Sequence, residues 1–207
     1  MENVSDKQFF IGLSLAPNQN YDSGVAVINK NCELILLDKL YSDEDIEFFF
    51  ENFNSIENSV IAISLAQDNS LLDGKWRMSA KSYKELSNHF EINANNWTNR
   101  LTPRCARFFH NILLEGNCIF RYFNFQLRQA LSLAPNYPER NSLDCKDMQT
   151  SLKIKYGFNL PDNMLPASNL EGILGAIMAQ KIAGGANYKK IGDFRELDIL
   201  QIENKLN

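Results

Sequence analysis

Histidine is scarce in this chain, which has only His89 and His110. Its four cysteines, Cys32, Cys105, Cys118 and Cys145, lie far apart with no Cys-x-x-Cys pair among them. Zinc sites are built from closely spaced thiolates and imidazoles, so this spacing argues against one and predicts buried, reduced thiols. Long apolar runs are lacking too: the first follows the polar start Met1 to Lys7 and ends within eight residues at Pro17. A membrane span takes about 20 apolar residues, and a secretory leader takes a basic start and a longer core. A cytoplasmic chain with no membrane segment is the expectation. No Pro/Gly/Ser-rich linker, low-complexity tract or tandem repeat divides the 207 residues, of which 44% are hydrophobic and 11% aromatic. That is enough for one ordinary core. A single domain over residues 1–207 is expected, with a helical insertion at about 76–115.

Positive charge is sparse in the first third. Residues 1–74 carry 13 acids and 3 bases (−10), residues 75–165 carry 7 acids and 13 bases (+6), and the rest carries 5 of each. The overall charge of −4 argues against a protein that coats nucleic acid unspecifically, because that affinity comes from counterions released by Lys and Arg contacts. The basic middle leaves room for a local anionic partner.

What is present reads as alternating strands and helices. Gln8 to Ala16, Gly24 to Asn29 and Glu33 to Asp38 form a strand meander with a turn at Lys30-Asn31. Ser42 and the acids after it suit a helix N-terminus, and Ile46, Phe49, Phe50 and Phe53 recur at helical spacing. A strand follows at Val60 to Leu65, then helices at Ser79 to Phe90 and from Thr102 to about Leu114, and a fifth strand at Cys118 to Phe123. Helices are predicted over Gln126 to Ala134 and Asp144 to Tyr156. Ser168-Asn169-Leu170-Glu171 has the pattern of a capping box opening a last helix, whose Gly172, Gly175, Ala176, Ala179 and Ala183 permit close packing before Gly184-Gly185 ends it. Leu197 to Ile202 is a final strand. This order predicts an α/β fold: a mixed five-stranded sheet with helices on both faces, the first and fourth strands side by side and parallel.

Two of those strands share a hexapeptide. Ile11-Gly12-Leu13-Ser14-Leu15-Ala16 is nearly repeated as Ile61-Ala62-Ile63-Ser64-Leu65-Ala66, with one polar side chain near the C-terminal end, where α/β sheets place ligands. With those two segments, the run Asn169 to Ala179 and Ile191-Gly192-Asp193, the chain resembles domain-of-unknown-function family 429, predicted nucleases of the ribonuclease H-like fold. The resemblance implies metal-holding aspartates at the positions of Ser14 and Ser64, an acid near the start of the last helix, matched by Glu171, and often an acid in the fifth strand, where this chain has Arg121. Magnesium is held by carboxylates, and a two-metal site clamps ions about 3.5–4 Å apart, so two serines and an arginine imply a vestigial pocket with no cofactor. A non-catalytic, ribonuclease H-like binding or scaffold module is expected, taking a protein partner or an anionic ligand, with nucleic acid left open. The alternative is a metal-dependent nuclease or other phosphoryl-transfer enzyme in which Asp22, Asp68 and Glu171 hold magnesium or manganese.

Other candidates carry competing structural readings. Arg100, Arg104 and Arg107 at the start of the Thr102 helix are a candidate anion site, with Trp76 and Trp97 as stacking platforms, or else a solvated basic face. Ser14 or Ser64 as a nucleophile would need a base, and the only histidines are His89 and His110. Glu171 is accounted for by the capping box, and Asp22 and Asp68 by solvated turns. Sugar-kinase and actin-like relatives of the fold are disfavoured, since the turn from Pro17 to Ser23 lacks the glycine that a phosphate-cradling loop uses. A hydrophobic docking face around Phe48 to Phe53 is a further candidate.

Overall fold

A computed structural model describes residues 8–16, 18–53, 58–65, 118–122, 124–133, 142–194 and 197–202. The expected insertion at 76–115, together with Asp68, Arg100, Arg104, Arg107, Trp76, Trp97, His89, His110 and Cys105, lies outside the described residues.

The strands are β1 (Phe9–Leu15), β2 (Ser23–Asn29), β3 (Leu34–Leu40), β4 (Ser59–Leu65), β5 (Cys118–Arg121), β6 (Tyr188–Phe194) and β7 (Leu197–Ile202). The helices are α1 (Asp43–Asn52), α2 (Asn124–Ala130), α3 (Ser142–Tyr156) and α4 (Ala167–Ala183). One mixed sheet runs β3-β2-β1-β4-β5-β7-β6. β1 lies parallel to β4 as expected, and β5 adds parallel to the other side of β4. The sheet then continues through β7, parallel to β5 at Arg121 and Ile199, to the antiparallel β6. β6 escaped the sequence reading because Tyr-Lys-Lys-Ile-Gly-Asp-Phe has no alternation of apolar and polar residues.

Side chains alternate across each strand, and the two sets build two cores. Ile11, Leu13, Val25, Val27, Ile61 and Ile63 pack with Ile46 and Phe50 of α1. On the opposite face Phe10, Ala26, Ile28, Val60, Ala62 and Phe120 pack with Leu127 of α2, Met148 and Leu152 of α3, and Leu170, Ile173, Leu174 and Ile177 of α4. Helices therefore cover both faces. Only one apolar side chain of the suspected Phe48–Phe53 face stands outside this packing. Phe50 is buried, and Phe49 and Phe53 are partly buried, Phe53 ringed edge-on by Phe9, which leaves Phe48 alone in solvent.

α4 lies directly on β1 and β2 because glycine lets backbone meet backbone. A Cβ on Gly12 would overlap the carbonyl oxygen of Gly172, and one on Gly24 would overlap that of Ser168. The helix begins at Ala167 with Pro166 as N-cap and no side-chain capping bond, so the expected box over Ser168 to Glu171 does not form. Ser168 lies in the first turn of the helix and Glu171 in the second, and each side chain is engaged from the sheet side. Ser168 Oγ donates to the Asp22 carboxylate, and Glu171 accepts from Ser14. A capping box forms instead at α1, where the Ser42 hydroxyl accepts from Asp45 N–H and the Asp45 carboxylate accepts from Ser42 N–H. At its other end α4 closes as expected. Gly185, at φ +82°, donates to Ile182, and Ala186 donates to Lys181, the paired bonds of a Schellman ending.

The segment leading into α4 is pinned by one buried side chain. Gln149 of α3 donates to the carbonyls of Pro161 (2.6 Å) and Asn163 (3.0 Å) and accepts from Leu165 N–H (2.8 Å). Of the described cysteines Cys145 is buried while Cys32 and Cys118 are half-buried. Among the described residues no helix is long and apolar enough to cross a membrane.

Candidate functional site

The parallel pairing of β1 and β4 sets Ser14 directly beside Ser64, the adjacency expected from the repeated hexapeptide. Register partners in neighbouring strands share a face. Both serines follow Gly12 and Ala62 on the side covered by α4. The two differ in surroundings. Ser14 is 2% exposed, and its hydroxyl donates to Glu171 Oε2 at 2.8 Å, in a place where Glu171 itself is 3% exposed. Ser64 is half-buried, and its Oγ accepts from Asn124 Nδ2, at the start of α2, at 3.0 Å. Ser23, fully buried, accepts from Ala16 N–H at 3.0 Å and ties the end of β1 to the start of β2.

Arg121 does not join them. It is paired with Ile63, whose side chain belongs to the α1 core, so alternation turns Arg121 toward the face opposite Ser14, Ser64 and Glu171. It is buried there at 1% exposure. The expected place of Arg121 in one vestigial pocket with Ser14, Ser64 and Glu171 is therefore corrected: the sheet lies between. The residue that the end of β5 presents to the site is Tyr122, whose hydroxyl donates to the Glu171 backbone carbonyl at 2.7 Å and lies against Gly175.

A buried ion pair stands next to this cluster. Arg128 of α2 donates to Asp144 Oδ2 of α3 at 2.7 Å, both side chains almost fully enclosed. Burial pushes the Asp144 carboxyl above its ordinary range. The Arg128 guanidinium pulls it back, and the charges of Glu171 and Asp147 add to the rise. Among the described residues the Asn124 Oδ1 atom, buried, has no hydrogen-bond partner, an uncompensated acceptor at the half of the site that Ser64 leaves partly open.

Of the alternative metal ligands, Asp22 accepts the Ser168 hydroxyl beside the first turn of α4, and Asp68 lies outside the described residues. Among the described residues no group of three or more His, Cys, Asp or Glu side chains is placed to hold a metal ion. Magnesium needs several oxygen ligands and favours carboxylates, and among the described residues Glu171 is the one carboxylate bonded to either strand-end serine. The described side chains of the cluster make internal hydrogen bonds: serine to glutamate, asparagine to serine, tyrosine to a helix carbonyl.

Sequence reasoning missed Tyr122, Asn124, Arg128 and Asp144. Tyr122 was legible in principle, since Cys118, Phe120 and Tyr122 alternate with Ile119 and Arg121 and a buried strand sends those sets to opposite faces. Arg128 and Asp144 are 16 residues apart on separate helices, and only the tertiary arrangement of α2 and α3 joins them. No protein-family model matches the chain, and neither a curated protein nor a solved structure matches it.

Proposed function

We propose that this chain is a ribonuclease H-like domain, of the kind seen in family 429, whose metal centre has been replaced by an internally hydrogen-bonded polar cluster. On this reading it acts by binding a protein partner or an anionic ligand and not by hydrolysis. The strand order β3-β2-β1-β4-β5 with α4 laid across β1 supports the fold. The observation that carries the functional reading is the Ser14 to Glu171 hydrogen bond in a closed site. A carboxylate positioned to bind a cation at the end of β1 is engaged there by a neutral hydroxyl, and its neighbour across the sheet, Ser64, is a neutral hydroxyl as well. The competing reading, a nuclease using Asp22, Asp68 and Glu171, has Asp22 and Glu171 beside the same first turns of α4 in its favour, though Asp22 is engaged by Ser168.

Purified protein incubated with single- and double-stranded DNA and RNA and either magnesium or manganese separates the two. The binding reading predicts no cleavage above that of a Glu171→Ala control. Metal-dependent cleavage that disappears in Glu171→Ala would establish the enzyme instead.

A further inference from the structure

We draw no further inference here: the strongest candidate, the outer face of α1 on which Phe48 stands exposed beside Glu44, Glu47 and Glu51, is an acidic stripe around a single apolar side chain, and nothing in the structure shows what covers it.

Discussion

Replacing Ser14 with aspartate probes the centre of the cluster, because it exchanges a hydrogen-bond donor for a carboxylate at a position 2.8 Å from Glu171 Oε2 and only 2% exposed. Two carboxylates that close cannot both remain charged without cost. At a separation of about 4 Å and an effective dielectric constant of about 20 the repulsion is ~4 kcal/mol. Protonating one of them instead costs ~4 kcal/mol at pH 7, since it must be held neutral about three units above an unperturbed carboxyl. Either route gives a destabilisation of about 3–4 kcal/mol at neutral pH. The sign follows from linkage: the added carboxyl titrates higher in the folded than in the unfolded chain, so its penalty is absent below about pH 4 and grows as pH rises. Urea denaturation of the wild type, Ser14→Asp and Ser14→Ala at several pH values reads this out. Ser14→Ala, which removes one bond to a carboxylate, is expected to lose about 1.5–3 kcal/mol at neutral pH. Equal stability of Ser14→Asp and wild type at pH 7, or a penalty that does not shrink in acid, would refute the placement of Ser14 against Glu171.

Three further outcomes follow from the same structure. Gly12→Ala drives a methyl group into the Gly172 carbonyl, where the obstacle is backbone on both sides. It should destabilise by about 3 kcal/mol or more in urea melts, whereas Gly157→Ala, with open space around it, should cost far less, its penalty coming from the left-handed backbone alone. Breaking the buried ion pair by Arg128→Met alone should cost about 3–5 kcal/mol because the buried Asp144 carboxylate loses its guanidinium, while Arg128→Met with Asp144→Leu should recover most of that loss; a double mutant no better than the single would contradict the pairing. Burial pushes the Tyr156 hydroxyl up to about 12, with the neighbouring Cys32 adding to the rise, while the unfolded chain titrates near its ordinary value of about 10. The folded state therefore holds its proton longer and loses stability as pH climbs from about 10 to about 12, by at most ~2.7 kcal/mol for this group. Tyr156→Phe should flatten that alkaline decline in thermal melts, and an unchanged slope would count against its burial.

Much of the sheet was legible because its strands are marked by local chemistry. The hexapeptides fixed two parallel neighbours, the Lys30-Asn31 turn separated β2 from β3, and Gly184-Gly185 marked where α4 stops. The misreadings arose where a local pattern competed with tertiary contact. Ser168 and Glu171 have capping-box spacing, yet Gly12 and Gly24 bring the sheet so near that both side chains find partners on β1 and just before β2. Glu171 is thus part of the cluster and not a helix cap. Arg121 was placed with the serines by position along β5, whereas the period of two sends it to the other face. Longer-range features, such as the Arg128–Asp144 pair and the Asn124 bond to Ser64, have no signature in either local segment, since they arise only when α2 is set between β5 and α3 in the chain and folds back toward the sheet end.

The proposed function rests on the claim that the end of β1 and β4 binds no divalent cation. Calorimetric titration of the purified chain with manganese tests it directly, run beside Ser14→Asp/Ser64→Asp. The predicted result is no saturable heat for the wild type and measurable binding for the double variant, whose two aspartates would flank Glu171. Micromolar manganese binding by the wild type, lost in Glu171→Gln, would contradict it.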